Sequence, residues 1–131
     1  MGDRGNIAIK QSGDVRIYFY AHWCGSELPK ILRDALGRGE NRWDDPAYLA
    51  RIIFDEMTGG KKGETGFGIS TEIQDNEYPI LVVNPDERVI TIDGIGSGSN
   101  VLALGITPKH SWTFAEFAAL PENIQWNHLK V

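Results

Sequence analysis

The sequence predicts an α+β fold: a single compact domain with a mostly antiparallel sheet of about five strands. The sheet opens with a β-hairpin, and two central helices and a short C-terminal helix pack on it. Three observations predict this. Apolar, β-branched segments at residues 6–11 and 15–20 flank the short connection Ser12-Gly13-Asp14, the pattern of a hairpin. Two well-punctuated amphipathic segments follow, at 26–37 and 44–59. Strand-like residues then return at 78–84 and 88–93, so strands and helices are segregated along the chain instead of alternating.

The chain has 131 residues, the size of one domain that buries enough surface to need no covalent staples. In the hairpin, Ile17 and Phe19 share one face of the second strand and Tyr18 and Tyr20 the other. This two-sided apolarity predicts a central strand. Ser26 then reads as the N-cap of the first helix, with Pro29 in its first turn. Leu28, Ile31, Leu32, Ala35 and Leu36 form its core-facing stripe, and Gly37 and Gly39 end it.

In the second helix Asp44 or Asp45 is the cap and Pro46 the first helical residue. Leu49, Ile52, Ile53 and Met57, with Tyr48 beside them, form its buried face, Arg51 and Asp55 pair on the outer face, and Gly59-Gly60 stops it. A polar loop at 61–66 leads to a short strand at 66–71, and Asp75-Asn76 turns the chain. The run Ile80-Leu81-Val82-Val83 predicts a strand covered on both faces. Asn84-Pro85-Asp86-Glu87 turns it into the alternating strand at 88–93. Residues 94–100 read as a flexible connection, and 101–106 as an apolar segment of either type. Thr113-Phe114-Ala115-Glu116 matches a capping box opening a helix through Leu120. Trp126 lies in a tail that docks or frays.

Composition narrows function by exclusion. Asp and Glu number 18 against 13 Lys and Arg, a net charge of −5, which disfavours non-specific nucleic-acid binding. No apolar run is long enough to span a bilayer, no secretory leader opens the chain, and a lone cysteine fits a reducing compartment. A cytoplasmic protein without a membrane partner is expected. His22, His110 and His128 are scattered and lack a cysteine pair, so neither a metal site nor a cofactor is expected. Gly94-Ile95-Gly96-Ser97-Gly98-Ser99 lacks the third glycine of a dinucleotide loop.

The stretch Phe19-Tyr20-Ala21-His22-Trp23-Cys24-Gly25 resembles the strand leading into a thioredoxin active site, and Tyr78-Pro79-Ile80-Leu81-Val82-Val83 resembles that family's cis-proline strand. The resemblance implies a reactive Cys24 at a helix start. Glu27 stands at the place of the second cysteine, and the chain opens with a hairpin where that family has strand–helix–strand.

A second resemblance is broader. Gly2-Asp3-Arg4-Gly5-Asn6, then His22-Trp23-x-Gly25-x-x-Leu28-Pro29, Arg42-Trp43-x-Asp45-Pro46-x-Tyr48-Leu49-x-Arg51-Ile52-Ile53 and Thr65-Gly66-Phe67-Gly68-Ile69-Ser70 occur in this order. Together they are similar to a family of small uncharacterised proteins from bacteria and their phages. This resemblance implies a bacterial or phage setting and supplies no activity.

Read physically, His22, Trp23, Arg42, Trp43 and Arg51 combine aromatic faces with cations, a mixture that stacks on rings and holds phosphate or carboxylate; the alternative is that Trp23 and Trp43 are core and that the arginines pair with neighbouring carboxylates. The backbone N–H groups of residues 26–28 would add an anion cradle. Asp3 and Arg4 read as solvated tail residues. The expected function is a non-enzymatic binding protein, a phage accessory or anti-defence factor, whose ligand is a nucleotide-like small anion or a host protein. The alternatives are an enzyme using Cys24 (thiol-dependent) or His22, and a self-associating interaction module whose tryptophans form the interface.

Overall fold

A computed structural model of the chain describes residues 2–13, 15–63, 65–93 and 111–129. The expected connection at 94–100 and the apolar segment at 101–106 lie outside the described residues.

Among the described residues, β1 (Gly5–Lys10), β2 (Arg16–Ala21), β3 (Phe67–Ser70), β4 (Ile80–Asn84), β5 (Val89–Asp93) and β6 (Ser111–Thr113) form one sheet. Their order is β3-β2-β1-β4-β5-β6. The hairpin is present, with Ile7 opposite Phe19 and Ile9 opposite Ile17. All neighbours pair antiparallel except β1 and β4, which run parallel. Between those two the chain passes through β2, two helices and β3, a crossover long enough to return it in the same direction.

The central position expected for the second strand falls to β1 and β4. Among the described residues β2 lies one place from the edge, with the short strand β3 beyond it. Ile80, Leu81, Val82 and Val83 are all buried in β4, and burial on both faces is greatest in the middle of a sheet.

Helices α1 (Leu28–Arg38), α2 (Pro46–Thr58) and α3 (Phe114–Ala118) cover one face. Leu28, Leu32, Ala35 and Leu36 from α1, with Leu49, Ile53 and Met57 from α2, meet Ile7, Ile9, Phe19, Leu81 and Val83 in the main core. The other face carries a smaller cluster of Ala8, Ile80 and Val82 with Tyr18 and Ile73. An Arg16–Asp93 ion pair at 3.3 Å joins β2 to β5 on that face.

Several element ends differ from expectation. Ser26 belongs to a 3-10 turn, Gly25–Glu27, and α1 begins one turn later at Leu28, with Glu27 at its cap and Pro29 in its first turn. Gly37 lies inside the helix, which ends at Arg38 with Gly39 as C-cap. No neighbour crowds Gly37, so nothing there forces an exit. Asp45 caps α2 by accepting from the Tyr48 N–H, and Gly59 closes it at φ 63°, a left-handed conformation suited to glycine. Tyr48 is 54% exposed instead of buried.

The capping box forms with both bonds, Thr113 N–H to Glu116 Oε1 at 2.8 Å and Glu116 N–H to Thr113 Oγ1 at 3.0 Å. Its helix stops at Ala118, short of Leu120. The tail docks: Ile124, Trp126 and Leu129 are buried in the main core.

Candidate functional site

Asp3 and Arg4 are structural where solvated tail residues were expected, and Gly5 and Asn6 join them. The Asp3 carboxylate accepts from the Ser26 N–H at 3.1 and 3.2 Å, from the Ser26 hydroxyl at 2.5 Å and from the Tyr78 hydroxyl at 2.6 Å. Burial works to raise its pKa, but the three donors outweigh it and hold the carboxyl below its ordinary value. The anion cradle expected at residues 26–28 is thus engaged within the protein, the Ser26 N–H by the Asp3 carboxylate and the Glu27 and Leu28 N–H groups by the Cys24 and Gly25 carbonyls. Arg4 pairs with Glu77 at 3.3 Å and Asp75 at 3.5 Å. Asn6 is wholly buried, and its side-chain amide donates to the Gln74 carbonyl at 3.2 Å and Asn76 Oδ1 at 3.2 Å. Gly5 and Gly25 lie back to back: a Cβ on Gly25 would stand 2.8 Å from the Arg4 carbonyl carbon and 2.9 Å from the Asp3 oxygen.

Beyond this clasp, β2 ends in His22, Trp23 and Cys24. The His22 N–H continues the β2–β3 ladder by donating to the Gly66 carbonyl at 2.8 Å. Its Nδ1 shares a 2.7 Å hydrogen bond with the Tyr20 hydroxyl. The Trp23 ring stands edge-on to the His22 ring, centroids 4.2 Å apart. Its other contact is with Gly66, where a Cβ would come within 2.6 Å of the indole. Trp23 is thus held in place while 58% exposed. Beside it is a cleft of about 310 Å³ with apolar walls from Ile31, Met57 and Phe67 and with Glu27, Glu56 and Lys61 in its lining.

Cys24 is half-buried in the same lining. Burial first, then the negative charges of Glu27 and Asp3, push its thiol up to about 11. A helix start beside a cysteine ordinarily acts the other way, but here the Ser26 N–H goes to Asp3 and the Glu27 and Leu28 N–H groups go to the Cys24 and Gly25 carbonyls. The described residues contain no cis peptide bond, so the cis-proline geometry implied at Pro79 is absent.

The remaining expected site residues lie elsewhere. Arg42 stacks over the Tyr48 ring, its guanidinium carbon 4.3 Å from the centroid. Arg51 pairs with Asp55 at 3.4 Å. Both arginines and Tyr48 line a hollow of about 580 Å³ at the first turns of α2. The Trp23 cleft meets the last turn of α2, and the helix's 13 residues rise about 20 Å. The structure therefore brings together His22 with Trp23, and Arg42 with Arg51, but does not join the two pairs. Trp43 belongs to neither. Its indole N–H donates to the Leu36 carbonyl at 2.9 Å and its ring meets Phe114 edge-on at 5.7 Å.

A further hollow, of about 690 Å³, was not foreseen from the sequence. It opens between α1 and the C-terminal tail, lined by Ser26, Lys30, Tyr78, Asn123 and Trp126. Trp126 stacks on Tyr78 at an interplanar angle of 9° and donates to the Gly25 carbonyl at 2.9 Å. Burial, then the Asp3 carboxylate, push the Tyr78 phenol up to about 12. The available signal was Trp126, with the apolar Ile124 and Leu129 on either side of it in the tail.

Among the described residues no group of three or more His, Cys, Asp and Glu is arranged to hold a metal ion, and no helix is long and apolar enough to cross a membrane. Comparison with protein-family models, curated proteins and solved structures finds no match to this chain.

Proposed function

We propose that this chain is a non-enzymatic binding protein whose ligand is another protein, gripped at the surface around Trp23. One observation carries the reading: a large aromatic side chain is 58% exposed yet packed against the His22 ring and close to the Gly66 backbone. An exposed tryptophan already held in one conformation loses little freedom on binding, the property of an interface anchor. In the bacterial or phage setting of the sequence resemblance, the partner is a host protein and the chain an accessory or anti-defence factor acting in the cytoplasm. The high thiol pKa supports binding over thiol catalysis, since only about one thiol in ten thousand is ionised at neutral pH.

The test is capture of partners from host lysate by wild type, Trp23→Ala and Tyr48→Ala proteins. A partner held by wild type and Tyr48→Ala but lost from Trp23→Ala supports the reading. Equal capture by all three sinks it.

A second reading is favoured by the Arg42–Tyr48 stack. The hollow at Arg42, Tyr48 and Arg51 suits a small anionic or nucleotide-like ligand, whose ring would extend the stack while Arg51 turns from Asp55 to the anion. A nucleotide bound there raises the melting temperature by mass action. The rise disappears in Tyr48→Ala, and persistence in that variant excludes this hollow.

A further inference from the structure

The edge strand β3 has a feature that deepens the reading of Trp23 as an interface anchor. The His22 N–H bonds to the Gly66 carbonyl, and the same register places Tyr20 opposite Gly68 and Tyr18 opposite Ser70. Hydrogen-bonded and non-hydrogen-bonded pairs alternate along an antiparallel ladder. Gly66, Gly68 and Ser70 therefore turn their backbone groups toward β2. Phe67 and Ile69 turn theirs outward, where they meet no partner among the described residues.

The side chains of these two outward residues lie on the helix side, since they pair with Ala21 and Phe19, both in the main core. Phe67 lines the Trp23 cleft, whereas Ile69 is 61% exposed. The edge and the cleft are thus one continuous surface. Sheet edges are ordinarily blunted by charge, proline or cover, yet 66–71, Gly-Phe-Gly-Ile-Ser-Thr, contains no charged residue and no proline.

The cleft adds chemistry to this edge. Its walls are apolar, and its charged lining is two carboxylates against one cation, Lys61: Glu27 stands there without an ion pair among the described residues, while Glu56 pairs with Arg38 at 3.1 Å. The negative charges of Glu27 and Asp3 are felt at Cys24. The indole face of Trp23 attracts cations. A long side chain with an aliphatic stem and a cationic head matches these walls and this charge, as does the chain's net charge of −5.

We infer that β3 accepts an extended segment of a partner protein as a seventh strand, hydrogen-bonded to Phe67 and Ile69, with an arginine or lysine of that segment seated in the Trp23 cleft against Glu27. This is strand addition to an exposed edge, in which main-chain bonds supply affinity and a flanking pocket reads an alternate side chain. It rests on the proposed function above and names the partner's chemistry.

The probe is a synthetic octapeptide of alternating valine and threonine with one central arginine, titrated into isotope-labelled protein while backbone amide and indole signals are followed. Shifts confined to 66–71, the Trp23 indole and 56–61 are expected. Replacing the arginine by glutamate, or making Glu27→Gln in the protein, weakens binding about tenfold by loss of a charge-assisted contact. Ile69→Pro removes an outward N–H and leaves the β2 ladder intact, because proline is tolerated where an edge N–H faces solvent. It also weakens binding about tenfold. Should that variant lose its native spectrum, the peptide N-methylated at alternate residues replaces it and must likewise fail to bind.

Absence of β3 shifts at millimolar peptide overturns the inference, as does equal binding of the arginine and glutamate peptides. Concentration-dependent shifts of Phe67 and Ile69 without peptide mean that a second copy occupies the edge, and also overturn it. The proposed function is judged separately. If host-partner capture depends on Trp23 but is unchanged in Ile69→Pro, strand addition fails and the anchor stands. If capture is independent of Trp23, the anchor fails first.

Discussion

Asp3 joins the N-terminus to the start of α1 and to β4's approach, with Ser26 and Tyr78 as its donors. Its folded-state pKa is lowered, so its stabilisation is present above the ordinary value of 3.8 and is lost as pH falls through the folded value. Asp3→Asn is expected to cost about 1–2 kcal/mol at pH 7, and the gap from wild type narrows below about pH 4. Urea unfolding at several pH values measures both. Asp34, lowered against burial by bonds from Lys30 and Arg33, keeps part of the acid sensitivity in that variant. Cys24 carries the opposite expectation. With its thiol near 11, alkylation by iodoacetamide at pH 7 stays far slower than for a free cysteine of pKa about 8.5. Rapid labelling at that pH would restore the thiol-enzyme reading.

At the scale of elements, β3 and the Trp23 loop depend on each other through Gly66. A methyl group there would stand 2.6 Å from the indole, so Gly66→Ala is expected to swing Trp23 off its seat while the core stays intact. Unchanged amide signals in β1 and β4 with a displaced Trp23 indole signal would check this. The α3 cap is a local device: Thr113→Ala leaves the Glu116 N–H without its acceptor and costs about 1 kcal/mol. That cap was legible in the sequence because both of its bonds join residues three positions apart. The start of α1 was not. Ser26 has the side chain of a cap, but its hydroxyl goes to Asp3, 23 residues away, and the helix begins only after the resulting 3-10 turn.

For the whole molecule, the sheet is closed at one end by its own tail. Trp126 and Leu129 complete the core under α1, and Trp126 also holds the Gly25 carbonyl. Trp126→Ala is expected to destabilise the fold by about 3–5 kcal/mol, through a large cavity and a lost hydrogen bond. Calorimetric melting is the measurement, and a loss below about 1 kcal/mol would mean that the tail is dispensable. The candidate site was legible only in its Trp23 half. Exposed aromatic and cationic residues recur at short spacing in the sequence, but Arg42 and Arg51 lie at the other end of α2, and Trp43 turns inward to Leu36 and Phe114.

By itself the sequence determined the α+β class, the opening hairpin, the core stripes of α1 and α2, the stop at Gly59 and the cap at Thr113, and it narrowed the α2 cap to Asp44 or Asp45. Each is set by periodicity or by bonds spanning a few residues, so the neighbours that decide it are adjacent in the chain. Only the tertiary structure decided that β1 and β4 form the sheet's centre, that Asp3 takes the Ser26 N–H ahead of α1, and that Phe67 and Ile69 are left facing outward beside Trp23. Those outcomes depend on contacts between segments dozens of residues apart, where the identity of the partner is settled by how all the elements pack at once.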